Sequence, residues 1–211
     1  NNIAYVSYMY GSLGSILNAR ENTNNSTIKT AIDDWYKINL EAKGYTKYLS
    51  TTAVYCNDRS TSDNTNFGAR TRLTNSNKTP TYDCAETKDK FTVDTSTGNG
   101  KLTYPIALMT ADEVSFAGGV YHEDAETWYY KNSANKSSTG STDWWLLSPG
   151  VSNGGHASVF YVYSSSSPGY LGVDYTVGVR PAISLKSCTL YSTGNGSASD
   201  PYTIKETTSG C

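Results

Sequence analysis

The chain is poor in the residues on which most catalytic and metal chemistry rests. Across 211 residues there are only two histidines and four cysteines, and no cysteine pair has Cys-x-x-Cys spacing, which leaves a zinc cluster without ligands. Phosphate-cradling loops are missing: there is no Walker-type glycine loop, and no G-x-G-x-x-G follows a strand-like run. Ser148-Pro149-Gly150 lacks the flanking glycines of a nucleophile elbow. Charge is scarce as well. Lysine and arginine number 17 against 19 acidic residues, a net charge of −2 with 17% charged residues, so the chain has no basic footprint for nucleic acid or an anionic membrane. No apolar run approaches the ~20 residues of a membrane span, and no repeat with a period of about 20 to 50 residues is visible. There is no signal peptide, and the chain opens on Asn1-Asn2 rather than Met. It therefore reads as a processed or excised fragment from which any targeting or anchoring element has been removed.

What replaces charge is Asn, Ser, Thr, Gly and 18 tyrosines, a neutral, hydroxyl- and amide-rich surface typical of secreted and cell-surface proteins. The length fits one domain over residues 1–211, large enough to bury a substantial core without staples. The four cysteines allow three pairings. Sequential pairing, Cys56 with Cys84 and Cys188 with Cys211, is preferred because each bridge closes a natural excursion of the chain, with each loop worth about 3 kcal/mol in the chain-entropy picture. Bridges imply an extracellular, oxidising setting; four reduced, buried thiols are the alternative.

In chain order, Ile3 to Tyr10 reads as a first strand. A helix is expected over about residues 27 to 42. Ile28, Ala31, Ile32, Trp35 and Ile38 form its apolar face, Asn25 or Ser26 its N-cap and Gly44 its C-terminal stop, with Trp35 packing on a sheet. Residues 50 to 100 hold few apolar anchors and form a long loop-rich excursion that a Cys56–Cys84 bridge would pin. Leu102 to Met109 reads as a strand, and Thr110 with Glu113 as a capping box opening a short helix that Gly118-Gly119 ends. Val120 to Gly140 is polar, with an aromatic knot at Trp128, Tyr129 and Tyr130, and Pro201 to Ile204 is the last strand. Two helices and many short strands with long loops make the class α+β.

The organising stretch is Trp144 to Leu185. Trp144 to Leu147 is a buried block stopped by Ser148-Pro149-Gly150, and Val177, Val179, Ile183 and Leu185 form a second. Between them lie the strand-like His156 to Tyr163 and the loop Ser164 to Gly169. The period of two puts Phe160 and Val162 on one face and Tyr161 and Tyr163 on the other, without deciding which face looks outward. Tyr161, Tyr163, Tyr170 and Tyr175 among Ser, Gly and Asn have the composition of an antibody-like paratope; cross-strand packing of the rings is the competing reading. Glu123, Asp124 and Glu126 match no EF-hand spacing and read as a solvated acidic turn. His156, on a glycine-rich loop, reads as a contact residue rather than a catalyst.

A family resemblance is carried by YVSYMYGS (5–12), STIKTAIDDWYKINL (26–40), CNDRS (56–60), KTPTYDCAETKDKFTV (78–93), LTYPIALMTADEVSFAGG (102–119), WWLLSP (144–149), GVRPAISL (178–185) and GNGSASDPYTI (194–204). Together they resemble a surface-protein family of Gram-positive gut bacteria, often with a pilin-like or other anchoring N-terminus. That family is similar to the variable proteins of diversity-generating retroelements, which use a C-type-lectin-like fold. The resemblance implies framework strands at WWLLSP and GVRPAISL around a displayed segment. Adenine-directed mutagenesis there yields Asn, Ser, Tyr, Asp, Gly, His, Thr, Val and Leu, the set that dominates residues 150–177. The binding role it implies falls on Val151, Ser152, Asn153, His156, Ser158, Tyr163, Tyr170, Leu171, Asp174, Tyr175 and Thr176. It also implies the division into residues 1–143, the framework and variable segment 144–185, and a terminal disulfide-closed strand 186–211. The Glu-Pro-Asn, Gln-Pro-Asp and Trp-Asn-Asp signatures of calcium-dependent sugar-binding lectins are absent. Formylglycine-generating enzymes share the fold but need a reactive cysteine pair.

The resulting expectation is an extracellular or cell-surface ligand-binding domain that is not an enzyme and uses no metal or cofactor. Its partner is a protein or glycan, with a pilus or anchor as a further partner. The alternative is a structural filament subunit. Intact mass after alkylation, with and without reductant, checks the compartment: no thiol is expected to label without reductant, and four labelled thiols would contradict an extracellular setting.

Overall fold

Two short apolar runs, Trp144 to Leu147 and Val159 to Val162, alternate in strand fashion, and both faces of each run are buried. The computed structural model describes residues 25–74, 76, 78–123, 143–153, 156–163, 167–173, 175–197 and 199–211. In it β4 (Trp144–Asn153), β5 (His156–Val162) and β6 (Pro168–Gly172) form an antiparallel sheet in that order. Trp145, Leu147, Val159 and Tyr161 face one hydrophobic core, and Trp144, Leu146, Phe160 and Val162 face a second. The period of two is as expected, but neither face of this part of β5 looks outward, because both are covered.

Around the sheet the described elements are short and mixed, an α+β arrangement. They are α1 (Thr27–Tyr36), β1 (Tyr55–Cys56), α2 (Gly68–Thr74), β2 (Lys90–Phe91), β3 (Ala107–Leu108), α3 (Ala111–Phe116), β7 (Pro181–Ala182), β8 (Tyr191–Thr193) and β9 (Thr203–Ile204). Three two-stranded antiparallel pairs join β1 to β2, β3 to β7 and β8 to β9. The first core lies against α1 and the residue 91–108 segment, the second against α2 and α3.

Helix α1 begins where expected, with the Ser26 hydroxyl accepting from the Lys29 amide at 3.1 Å, and continues as a π-helical turn over Lys37–Glu41. Gly44, at φ +73°, follows that turn in the left-handed conformation glycine tolerates. The buried face is a correction. Ile32, Tyr36 and Leu40 enter the core with a buried Lys29–Asp33 ion pair beside them, whereas Ala31, Trp35 (42% exposed) and Ile38 face outward. The wider π turn keeps Leu40 in line with Ile32 and Tyr36, and Tyr36 stacks on Tyr104 at 4.8 Å.

Three further expectations change. Leu102 to Met109 pairs only over Ala107–Leu108, because Thr103 to Pro105 bend the chain and proline has no amide to donate. Ser148-Pro149-Gly150 does not stop β4; the strand runs on to Asn153 through register shifts on both sides of Pro149, the bulged setting that tolerates proline in a strand. The bulge turns Leu147 and Ser148 toward α3: the Leu147 amide donates to Met109 O at 2.7 Å and Ser148 Oγ accepts from the Ala111 amide at 2.9 Å. Val177, just before the GVRPAISL stretch, and Val179 within it pack on the first core, but Ile183 and Leu185 are exposed. Its framework role rests on pairing instead, through Gly178 with Trp144, Pro181–Ala182 with β3, and Arg180 stacked on the Trp144 ring at 4.6 Å.

The disulfides are Cys56–Cys84 and Cys188–Cys211, with no free cysteine, the sequential pairing. Two bridges fit an oxidising, extracellular setting, and no described helix is long and apolar enough to cross a membrane. The capping box at Thr110 and Glu113 forms as read. The excursion has a second pin, an ion pair between Arg59 and Asp89 whose side chains are 4% and 3% exposed; Asp89 also accepts the Arg59 amide at 3.1 Å. The proposed first strand at residues 3–10 and the aromatic knot at Trp128, Tyr129 and Tyr130 lie outside the described residues. Removing one member of a buried pair strands the other charge. Asp89→Ala should therefore lower unfolding stability by about 3–5 kcal/mol in urea titrations, and a loss below about 1 kcal/mol, the scale of a surface pair, would show that this contact does not hold the excursion.

Candidate functional site

The open end of the sheet makes a concavity of about 680 Å³, lined by Thr65, Asn66, Arg70, Val151, Ala157, Ser158, Tyr170, Leu171, Gly172 and Tyr175. The β4–β5–β6 strands change character along their length. Residues 144–150 and 159–162 are buried, whereas Val151, Ala157, Ser158, Tyr170, Leu171 and Gly172 are half-buried. The same ladder that fixes the core therefore holds the floor of the concavity.

The opposite wall comes from the disulfide-pinned excursion. Asp63 nucleates a tight turn: Oδ1 accepts from the amides of Thr65 and Asn66, both at 2.7 Å, and Oδ2 from Asn66 Nδ2 at 2.6 Å. These bonds, led by the one from Asn66, hold its carboxyl well below the usual carboxylate range. Residues 65–67 then lie along β4: the Ser152 amide donates to Thr65 O at 2.9 Å, the Phe67 amide to Gly150 O at 3.1 Å, and Asn66 bridges Val151. Phe67 opens α2, whose first turn carries Arg70 to the pocket.

Arg70 and Tyr170 form the polar centre. Arg70 Nη1 donates to Asn66 Oδ1 and Nη2 to the Tyr170 hydroxyl oxygen at 3.2 Å, with the guanidinium over the Tyr170 ring at 5.0 Å. Tyr170 in turn lies parallel to Tyr121 at 6.0 Å and edge-on to Phe160 at 6.2 Å. The Arg70 bond, followed by one from the Tyr121 hydroxyl, lowers the Tyr170 phenol below its ordinary pKa, while burial raises that of Tyr121. Gly150 gives Tyr170 room, since a Cβ there would come within 3.1 Å of the tyrosine Cβ.

Of the residues the resemblance implied, Val151, Ser158, Tyr170, Leu171 and Tyr175 share this one concavity. Tyr175 is 58% exposed, while Leu171 also packs on the first core. Ser158 Oγ accepts from the Val151 amide at 3.1 Å. Ser152 is a correction: it is buried, because residues 65–67 cover this part of β4. Tyr163 does not line the concavity; its ring meets Tyr161 at 4.3 Å and lies against Gly169, where a Cβ would come within 2.3 Å. Tyr161 is buried, and burial followed by the Tyr163 contact raises its pKa. Thr176 is exposed but outside the lining. Asn153 and His156 pair across the tip of the β4–β5 hairpin; their side chains, and Asp174, lie outside the described residues. Of the acidic turn, Glu123 pairs with Lys78, and Asp124 and Glu126 are outside the described residues. Among the described residues, no three His, Cys, Asp or Glu side chains gather as a metal site would require. Sequence reading missed Thr65, Asn66 and Arg70. The available signal was Asp63-Asn64-Thr65-Asn66 before Phe67, an Asx-type turn leading into a helix.

Comparison with known families matches residues 64–187 to a domain of unknown function, DUF6273. This is more than half of the chain, which therefore belongs to that family. The match contains the whole concavity as well as both sheet cores' central strands. No curated protein matches, and no solved structure does.

The Tyr170 environment is testable by tyrosinate absorbance. Because its ionised form is favoured by Arg70, Tyr170→Phe should remove one tyrosinate step from the low-pH side of the titration, and Arg70→Met should move that step upward. An unchanged onset of ionisation in both variants would contradict the pairing.

Proposed function

We propose that this DUF6273 member is an extracellular ligand-binding domain, displayed at a bacterial surface as the binding end of an adhesin or pilus. The concavity, lined by Tyr170, Tyr175 and Ser158 among others, grips a protein or glycan without a cofactor. One observation carries the reading: Val151, Ser158, Tyr170, Leu171 and Tyr175, scattered over 25 positions between the two framework stretches, converge on one open pocket. Tyrosine suits this work because it offers a large flat face and one hydroxyl with little side-chain entropy lost on binding. A C-type-lectin-like scaffold of the retroelement variable-protein kind is the architecture we propose. The arrangement of a buried WWLLSP strand, a GVRPAISL stretch paired beside it and a part of the intervening segment lining an open pocket supports it. The formylglycine-type enzyme alternative has no unpaired cysteine to draw on.

A different observation favours the filament-subunit reading as the second choice. Leu40, Tyr45, Tyr48, Leu49, Ile183, Leu185 and Ile204 line a separate apolar depression of about 320 Å³, with Leu185 46% exposed. Packing between copies would bury such a surface.

The two readings separate by mutation. Tyr170 is packed against Phe160, Tyr121 and Arg70, so its truncation would disturb the sheet, and Tyr175→Ala with Tyr170→Phe is the cleaner pair. Each should weaken binding of the domain to its target cells about tenfold, the scale of a lost interface tyrosine contact, with the melting temperature nearly unchanged. Leu185→Asp should leave binding intact. Unaltered cell binding in both tyrosine variants, together with loss of self-association in Leu185→Asp, would overturn the adhesin reading in favour of the filament.

A further inference from the structure

Arg70 differs from the other two arginines of the excursion in what it faces. Arg59 is paired with Asp89, and Arg72 bonds Asp112 through Nε and Nη2 at 2.7 and 2.6 Å and also bonds Asp58. Among the described residues Arg70 meets only neutral groups: the Asn66 amide oxygen, the Tyr170 hydroxyl oxygen and the Tyr170 ring. Its Nε is buried with no hydrogen-bond partner. The nearest carboxylate in the same bonding chain, Asp63, has both oxygens engaged by Thr65 and Asn66. No described residue lining the concavity is acidic. A guanidinium held at a pocket wall with only neutral partners among the described residues suits an anion, because a charge-assisted bond there satisfies what neutral acceptors leave over.

Tyr170 reinforces this. Its oxygen accepts from Arg70 Nη2 at 3.2 Å. An arginine only donates, so the phenol proton is left to donate, and it is polarised by the bond its oxygen receives. Arg70 and Tyr170 thus offer donors, and the ligand group between them must be an acceptor. Around them the floor is mixed: Val151, Ala157 and Leu171 are apolar, Thr65 and Ser158 carry hydroxyls, and the exposed Tyr175 ring stands at the rim. The edge of β4 at this wall is already occupied by residues 65–67, so an extended peptide finds no strand edge there to extend. A compact ligand read by side chains fits better.

Resting on the reading of this concavity as the binding site, we propose that it takes an acidic sugar, whose carboxylate is held by the Arg70 guanidinium and the Tyr170 hydroxyl while its ring lies on Val151, Leu171 and Tyr175. The volume of about 680 Å³ is within the usual range for small-ligand sites, roughly 300–1,000 Å³.

The test is an amide NMR titration of the whole domain with N-acetylneuraminic acid, glucuronic acid, the methyl ester of each, and a hexaglutamate peptide. At least one free acid should bind with shifts at residues 65–70 and 170–172, and its methyl ester should bind about tenfold or more weakly, the scale of one charge-assisted bond. Arg70→Met should lose the same factor and cease to distinguish acid from ester, while Arg70→Lys should keep part of the distinction. The ligand-side comparison stands even where a variant fails to fold. Equal binding of acid and ester, binding of hexaglutamate in preference to both sugars, or no sugar binding at all would overturn the proposal. Cell binding that still depends on Tyr175, and that neither acid competes, would overturn the acidic sugar alone and leave the adhesin reading standing.

Discussion

Burial of both faces of β4 and β5 is the constraint from which the remainder of the molecule follows. A strand with one covered face can shift its partner by one residue at the cost of a single interface. Here a slip would exchange Trp144, Leu146, Phe160 and Val162 with Trp145, Leu147, Val159 and Tyr161, placing bulky rings in two cavities shaped for other side chains. Such interiors are packed at crystal density and do not absorb that exchange. Register is therefore held strongly, and it sets where the flanking pieces attach: Gly178 beside Trp144, Met109 on Leu147, and the start of α3 on Ser148.

The second layer of organisation is electrostatic and local. The residue 50–100 excursion has little apolar content with which to fold itself. It is instead fastened at intervals, by Cys56–Cys84, by Arg59 on Asp89, by Arg72 between Asp58 and Asp112, and by the Asp63 turn. These fastenings deliver residues 65–67 to the edge of β4, which shields an otherwise exposed strand edge, and they aim Arg70 across at Tyr170. A pocket wall is thus made by a loop-rich segment whose longest regular element is the seven-residue α2.

How much of this was legible depended on the range of the interactions. Local signals read well: Ser26 and Thr110 as caps, Gly44 as a stop, the alternation in Phe160 to Tyr163, and the cysteine pairing that closes two excursions. Signals that needed a partner far along the chain did not. Trp35 and Ile38 share helical spacing with Ile32, yet the π turn and the Tyr36–Tyr104 stack select the neighbouring face. Pro149 looks like a terminator unless the bulge that accommodates it is known. Ser152 has the composition of a displayed residue, and only the covering segment 65–67 buries it. Arg70 belongs to the site through a pairing 100 positions away in sequence, for which nothing local speaks. Five of the eleven implied contact positions nevertheless fall in the concavity, because all five sit where the strands leave the core.

The open end of the sheet is held by its pocket neighbours as well as by the ladder. Each of the three sheet strands is buried at one end and continues, β4 by way of the Pro149 bulge, into half-buried positions that line the concavity. The backbone there follows the ladder pairing, but Ser158 Oγ also holds the Val151 amide and Tyr170 packs on Phe160 and Arg70. Change is therefore least coupled to folding at Tyr175, which is exposed and outside the strands, so pocket chemistry can vary there on one unchanged framework.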